Sequence, residues 1–129
     1  MQAVSVLYIL IGILMFGVLI AAHEAGHFSV SKLFKIKVNE FAIGMGPTVW
    51  HREKGETTYS LRAFPVGGFC AIEGEDGSSD DPRAFTKKPM WQRVCVLCAG
   101  SAANLLIGFL LALGLYLGYA AAGDYRSEE

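Results

Sequence analysis

The strongest constraint on this chain is a long apolar run that passes directly into a pair of histidines. Residues 3–22 contain no ionisable side chain apart from Tyr8. A helix of this length rises about 30 Å, which is enough to cross the hydrocarbon core of a bilayer. No proline or turn cluster separates the run from His23-Glu24-Ala25-Gly26-His27. We therefore predict a transmembrane helix over residues 1–35 that carries ionisable groups at membrane depth.

The histidine motif has the spacing H-E-x-x-H, which is typical of a zinc-binding helix. Residues four apart lie one above the other, so His23 and His27 point from the same face. Two neutral imidazoles at that separation can hold one zinc ion, and Glu24 is close enough to act as base for a water that the metal activates. Ionisable groups in lipid are costly and are functional candidates for that reason. The alternative is a helix that ends in a polar turn at the headgroups.

A second apolar run, residues 94–122, predicts a second transmembrane helix over residues 93–123. The first run lacks a basic leader and is longer than the apolar part of a signal peptide, so we expect it to be retained. Ten of the 11 Lys and Arg residues lie between the two runs. The positive-inside tendency therefore puts the connecting segment in the cytoplasm and both termini on the other side. Nine acidic residues share this segment, so no basic face for nucleic acid is expected.

The connecting segment begins with residues 36–73, which alternate and turn like short strands. The pattern predicts a small antiparallel sheet of three or four strands. Two turns, at 43–47 and 64–69, are apolar where turns of soluble proteins are usually polar. We therefore expect the sheet to re-enter the bilayer beside the first helix, with one edge free to receive an extended substrate. The alternative is a cytoplasmic hairpin domain that folds for its own sake.

Residues 74–92 predict a cytoplasmic linker, acidic at its start, that includes a short helix. Asp81 before Pro82 is a helix start signal, and Pro89 is another. Trp91 suits the interface where the second span begins. Residues 124–129 are the remaining tail.

The second span carries small residues followed by an amide, Gly100-Ser101-Ala102-Ala103-Asn104. Small residues let membrane helices touch, and Gly12 and Gly17 are candidates for the same role in the first helix. A membrane asparagine usually seeks a partner across such a contact. Asn104 therefore either packs against a helix or lines the active site.

The three cysteines, Cys70, Cys95 and Cys98, do not predict a disulfide framework, because their number is odd and they lie on the cytoplasmic side or in lipid. Cys95 and Cys98 could instead complete a closed zinc site with the two histidines. Such a site would leave no position for water and no role for Glu24. Two cysteines that act as small apolar residues are the favoured interpretation.

Taken in order, these motifs resemble the site-2 proteases, which are intramembrane zinc metalloproteases, and most closely the bacterial branch that cleaves regulators of sigma-E. The likeness covers nearly the whole chain. It rests on an ordered set of residues: His23-Glu24-Ala25-Gly26-His27, Phe41-Ala42-Ile43-Gly44-Met45-Gly46-Pro47, Pro65-Val66-Gly67-Gly68-Phe69, Ala84-Phe85 with Lys87 or Lys88, and Arg93 leading to Ala99-Gly100-Ser101-Ala102-Ala103-Asn104.

The resemblance implies a zinc cofactor held by His23 and His27, with Glu24 as the catalytic base. It also implies that residues 36–73 form a membrane-reentrant β-region that receives the unwound substrate helix, with Gly67 and Gly68 as substrate-binding candidates. Gly100 and Asn104 take the places of a G-x-x-x-N motif near the active site. Ser101 stands where the family usually has proline. The implied location is the bacterial inner membrane, and the implied partner is a transmembrane protein substrate.

One element of the family is absent from this sequence. The resemblance implies a third zinc ligand, an aspartate in a Leu-Asp-Gly motif on a later transmembrane helix. Asp124 is a poor substitute, because the predicted topology puts it on the opposite side of the membrane from His23. We therefore expect an N-terminal portion of a longer enzyme, which needs the remainder to supply the third ligand and which alone binds zinc weakly.

The sequence thus predicts a membrane α-helical protein with a small membrane-associated antiparallel sheet between two transmembrane helices. The predicted function is regulated intramembrane proteolysis. Two other classes stay open at this point: a non-catalytic metal-binding or partner-binding membrane module, and a structural two-span protein whose motif is accidental.

Overall fold

A computed structural model describes residues 1–77 and 79–127 of the chain. Ser78, in the predicted linker, and residues 128–129, in the predicted tail, lie outside the described residues. The elements in chain order are α1 (Gln2–Leu33), β1 (Val38–Lys54), β2 (Thr57–Ile72), a 3-10 helix (Phe85–Lys87) and α2 (Met90–Ser127).

Helices α1 and α2 are long and apolar enough to cross a membrane. Their 32 and 38 residues correspond to about 48 and 57 Å at helical rise. The protein leaves most of their apolar side chains uncovered: Leu10 is 58% exposed and Phe109 is 64% exposed. An apolar surface of this extent on a single chain is typical of contact with lipid. The prediction of two membrane-type helices is confirmed.

Helix α1 ends in a turn that leads the chain directly into the sheet. Lys35 has a positive φ of 59°, and the backbone N–H of Ile36 donates to the carbonyl of Ser31 across 2.9 Å. This is the Schellman pattern, in which a residue in the left-handed region closes the last turn. Ile36 then lies fully buried, so the first residues after the helix belong to the core.

The sheet contains two long strands rather than the three or four that we expected. The register explains the difference. Residues 40–43 of β1 pair with 68–71 of β2 on one side and with 58–61 on the other, while 48–54 pair with 57–62. Four paired segments therefore lie side by side in the order 48–54, 57–62, 40–43 and 68–72. The predicted strands exist as these segments, but no separate loop joins the segments within β1 or within β2, because the chain bends inside each strand.

The bends depend on glycine. Gly44 and Gly46 have φ values of 87° and 88°, in the region that L side chains rarely adopt. At the same place, the guanidinium of Arg62 donates to the carbonyl of Gly46 across 3.0 Å. Two positive-φ glycines turn the strand sharply between its paired segments.

The hydrophobic core lies where the end of α1, the base of the sheet and the start of α2 meet. The buried cluster contains Ile36, Val38, Cys70, Ile72 and Val96. Five partly buried side chains pack around it: Phe28, Val30, Phe34, Phe41 and Phe85. One apolar cluster thus joins both helices to the sheet.

The second half of the connecting segment is fastened to this base. The side chain of Arg83 donates two hydrogen bonds to the Glu56 carboxylate, at 2.6 and 2.7 Å, and a third to the carbonyl of Lys35 at 2.8 Å. The hydrogen bonds from Arg83 lower the pKa of Glu56, so the carboxylate is ionised at neutral pH. After this anchor come a single 3-10 turn and then α2, whose first residue follows Pro89 as predicted.

Trypsin can test this anchor because Arg83 is itself a cleavage site. We expect Glu56→Gln to increase the rate of cleavage after Arg83 severalfold, because the neutral amide makes weaker hydrogen bonds to the guanidinium. Limited proteolysis with mass spectrometry measures the rate. Glu53→Gln removes an acid from the same hairpin and should leave it unchanged. Equal rates in Glu56→Gln and the unmodified protein would contradict the anchoring role.

Candidate metal centre

The site forms where α1 and α2 touch. A Cβ atom on Gly26 would overlap the carbonyl oxygen of Ala99 and lie 3.0 Å from Cβ of Ala103. The two backbones therefore meet at Gly26, inside the histidine motif. The glycines expected to make helix contacts behave differently. Gly12 has no neighbour within 4 Å in the described structure, and Gly17 meets the carbonyl oxygen of Pro65, in the sheet.

His23 and His27 face each other on α1, as the motif predicts. Their Nε2 atoms are 3.0 Å apart, and their ring centroids are 4.6 Å apart with the planes nearly perpendicular. Nδ1 of His27 donates to the backbone carbonyl of Val96, on α2, across 2.7 Å. A carbonyl can only accept, so this bond places a proton on Nδ1 of His27, and in the neutral ring Nε2 then carries the lone pair that faces Nε2 of His23.

Gly100 brings the backbone of α2 against this pair of rings. A Cβ atom there would lie 2.6 Å from Nε2 of His23 and 2.7 Å from Nε2 of His27. Any larger residue would displace the rings from their present positions. Gly100 is therefore next to the histidines, where the sequence placed it by resemblance, and its lack of a side chain is the reason both rings fit.

A cavity of about 380 Å³ opens beside the histidines. Its lining contains His23, Glu24 and Asn104, together with Phe16, Leu19 and Ile20 of α1. Oδ1 of Asn104 is buried and has no hydrogen-bond partner. A buried acceptor without a partner costs free energy, on the order of 1–3 kcal/mol. Asn104 therefore offers an unused acceptor beside the Glu24 carboxylate, in a space that can hold water or a peptide group.

The histidine pair fits one side of a zinc site. Tetrahedral zinc with bonds of about 2.0–2.1 Å separates two nitrogen ligands by about 3.3 Å, close to the 3.0 Å between these Nε2 atoms. The carbonyl that accepts from Nδ1 of His27 is the outer partner that a metal-bound histidine usually has. Within residues 1–77 and 79–123, whose side chains are described, no third His, Cys, Asp or Glu joins them. The two histidines thus supply part of a ligand set.

The cysteines do not complete that set. Cys95 and Cys98 line a separate groove with Ala22, Ala25 and other small residues, and the closed Cys₂His₂ site does not form in the described structure. Cys70 lies in the core, where burial and, to a smaller extent, the charge of Glu24 raise the pKa of its thiol to about 12. Cys70 is therefore a neutral thiol that packs between the sheet and the α1 motif.

Gly67 and Gly68 lie outside the cavity that Glu24 and Asn104 line. Gly67 borders a second cavity, of about 420 Å³, between α1 and the bends of the sheet. A Cβ atom on Gly68 would lie 2.6 Å from the carbonyl oxygen of Ala42, on the neighbouring segment. The structure gives both glycines a role in the close packing of the sheet, and their contact with substrate stays a prediction.

Sequence reasoning missed two contributors to the site and the position of Cys70 in the core beside it. The helix contact at Gly26 was hidden because that residue was taken only as a spacer within the histidine motif. The acceptor at Val96 is a backbone carbonyl, so the identity of the residue does not reveal it. Cys70 could have been found from the sheet pattern, since it alternates with Phe69 and Ala71 on the face opposite to theirs.

Substitution of Gly100 tests the histidine pair directly. We expect Gly100→Ala to weaken zinc binding by roughly 10- to 100-fold, the usual effect of disturbing groups around a metal ligand. Competition with a zinc-sensitive dye measures the affinity of the purified chain. Gly108→Ala is the matched control, because Gly108 has no neighbour within 4 Å in the described structure. Unchanged affinity in Gly100→Ala would show that the histidines do not hold zinc as a pair.

The chain is similar to proteins that are named as zinc metalloproteases. Two relatives are each named Putative zinc metalloprotease: one of Fusobacterium nucleatum, 48% identical over 102 residues (79% of this chain, 30% of the relative), and one of Clostridium perfringens, 45% identical over 123 residues (95% and 36%). The Zinc metalloprotease Rip1 of Mycolicibacterium smegmatis is 40% identical over 118 residues (81% and 29%).

The chain spans about a third of the length of the curated relatives that it matches. Residues 11–123 match Peptidase family M50, a range that includes most of both long helices, the whole sheet and the histidine motif. The chain therefore belongs to peptidase family M50, the site-2 protease family that its motifs resemble.

Proposed function

We propose that this chain contributes the base and two of the zinc ligands to an intramembrane metalloprotease. One observation carries the proposal: the His23 and His27 Nε2 atoms converge at 3.0 Å, and His23 and Glu24 share a cavity with the unpartnered acceptor of Asn104. Family membership and the names of the relatives support the same activity.

The chemistry follows from the positions of these side chains. Zinc, when bound, supplies a Lewis acid that makes water nucleophilic near neutral pH and polarises the peptide carbonyl. Glu24 takes a proton from the attacking water and returns it to the leaving amine of the cleaved bond. Asn104 Oδ1 accepts a hydrogen bond from a peptide N–H or a water in the cavity. The carbonyl of Val96 keeps the His27 ring in one orientation.

The distance that the sheet extends along α1 supports a substrate class. Gly17 contacts Pro65, and it precedes Leu33, the last residue of α1, by 16 residues, or about 24 Å along the helix. The bends of the sheet thus reach the level of the middle of α1. This contact supports a sheet that re-enters the bilayer and a substrate that is a transmembrane segment of a membrane-anchored protein.

An extended substrate can be held by the sheet itself. Segments 48–54 and 68–72 are at the two edges, and each pairs on only one side in the described structure. The 68–72 edge contains Cys70, which belongs to the core cluster against which Phe28, the residue after the histidine motif on α1, is packed. Strand addition at this edge places a substrate backbone next to the proposed base.

The remaining features of the proposal concern the whole protein. The proposal assigns the third zinc ligand to the remainder of the enzyme, since the chain spans about a third of the length of its relatives. Asp124 lies on α2 beyond the part whose side chains are described. The bias of basic residues supports a cytoplasmic connecting segment, with both termini outside, in the bacterial inner membrane.

The pair of histidines without a third zinc ligand also fits a second candidate function. A chain with two histidines and an orphaned amide could serve as a non-catalytic metal-binding or partner-binding module. The two functions differ in what they require of Glu24, because binding needs the histidines whereas hydrolysis also needs a base.

Glu24→Gln separates the two functions. Assayed in the protein as its gene encodes it, the variant should cleave a membrane-anchored reporter about 100-fold or more slowly, because it removes the general base. Its zinc content should stay at the level of the unmodified protein. Immunoblotting of the reporter and elemental analysis of the purified protein give the two measurements.

Glu75→Gln is the control, since it removes an exposed acid outside the cavity. If Glu24→Gln cleaved as fast as the unmodified protein, the protease proposal would be wrong. A loss of both zinc and cleavage in Glu24→Gln would instead assign Glu24 to metal binding.

A further inference from the structure

We infer that the outer hairpin of the sheet binds the headgroup of an anionic phospholipid. The site is a groove of about 380 Å³ lined by Trp50, Arg52, Lys54 and Tyr59. It lies apart from the cavity that contains His23, Glu24 and Asn104.

The register of the hairpin places the four side chains on one face. Arg52 pairs with Tyr59, Trp50 with Leu61 and Lys54 with Thr57, and residues directly opposite each other project to the same side. Helix α1 covers the middle of this face through Phe28, which packs against Phe41 and Tyr59 with ring centroids 5.0 and 5.8 Å away. The outer segment extends past that cover, and Trp50 remains 55% exposed.

Both cations of the groove are available to a ligand. Arg52 and Lys54 form no ion pair within the described residues, whereas the neighbouring acids are otherwise engaged or directed away. Glu56 is held by Arg83 and Lys32, and Glu53 alternates to the opposite face of the strand. The groove is therefore a small region of positive charge beside two aromatic rings, which suits a phosphate group.

Polarity changes along the segment in the order that a lipid requires. From Lys54 the face runs through Arg52 to Trp50, and the apolar bends of the sheet follow, with Met45 48% exposed and Phe64 61% exposed. Cations and then an aromatic ring are the residues that meet the headgroup region of a bilayer, and uncovered apolar side chains meet acyl chains. A phospholipid fits this order along its whole length, whereas an acidic peptide would use only the cationic end.

This inference rests on the proposed re-entry of the sheet into the bilayer. It goes beyond that proposal by assigning a headgroup to a particular groove. A lipid held there would fix how deeply the sheet is inserted. It would do so through Tyr59, which contacts both the groove and α1.

Trp50 is a natural reporter, because the chain has only one other tryptophan, Trp91. In a Trp91→Phe background, the 129-residue chain is reconstituted in bilayers that contain increasing fractions of dibrominated phosphatidylglycerol or dibrominated phosphatidylcholine. Bromine quenches a tryptophan that it contacts. Phosphatidylglycerol should reach half-maximal quenching at a lower mole fraction than phosphatidylcholine, with a preference of about fivefold per cation.

Paired variants assign the preference to the groove. Arg52→Gln with Lys54→Gln should abolish it, and Arg52→Lys should retain it. Lys87→Gln with Lys88→Gln removes the same net charge elsewhere and should leave the preference intact. Circular dichroism of each variant confirms that α1 and α2 are formed.

Several outcomes would overturn the inference. Equal quenching by the two lipids would disprove the headgroup site but would be compatible with re-entry of the sheet. No quenching by either lipid would contradict both proposals. A preference that survives in the Arg52/Lys54 variant, or that the Lys87/Lys88 variant loses equally, would show a general charge effect. Protection of Trp50 from iodide by an acidic peptide, without lipid preference, would identify a peptide groove. None of these readouts depends on Glu24, so a failure of the protease proposal would be recognised separately.

Discussion

The close approach of α1 and α2 is the contact on which the site depends. In lipid, two apolar helices gain little from hiding apolar surface, so van der Waals packing of small residues and hydrogen bonds between helices must hold them together. Gly26 supplies the packing, and the bond from His27 to the Val96 carbonyl supplies the hydrogen bond. The same contact that joins the helices also orients a candidate metal ligand. Stability and function therefore share one crossing point, and Gly100 completes it by leaving room for both rings.

The sheet pairs its own backbone groups, which is the condition that the proposed re-entry into a bilayer imposes. Two strands that bend back on themselves provide four paired segments and leave only two edges. The charged pair of Arg62 and Glu40 supports the bend. Burial raises the pKa of Glu40, but the hydrogen bonds from Ser60 and Arg62 outweigh that effect and lower it. The carboxylate therefore stays ionised and keeps Arg62 in place against the Gly46 carbonyl, at 3.0 Å.

The sequence predicted the features that depend on residues close together in the chain. The apolar runs gave both helices, the histidine spacing gave the facing rings, and Pro89 gave the start of α2. The number of strands was wrong because Gly44 and Gly46 look like chain breaks, although in the structure they bend a continuous strand. The helix contact at Gly26 and the acceptor at Val96 depend on which faces of two distant segments meet. A single sequence does not contain that information. It does not distinguish Gly26, which contacts α2, from Gly12, where an added Cβ atom would meet nothing within 4 Å in the described structure.

The polar groups near the crossing point show why an incomplete site is tolerated there. Asn104 Oδ1 has no partner, and the two Nε2 atoms have only each other. The unpartnered acceptor of Asn104 costs on the order of 1–3 kcal/mol, whereas the two Nε2 atoms are hydrogen-bonded to each other. The cost is acceptable only where something else can satisfy these groups during function. His23, Glu24 and Asn104 border one cavity, so a single ligand set of metal, water and peptide backbone can satisfy all of them together. The fold thus gives up stability at the place where binding can restore it, while Arg83 and the core at the base of the sheet keep the rest of the chain in order.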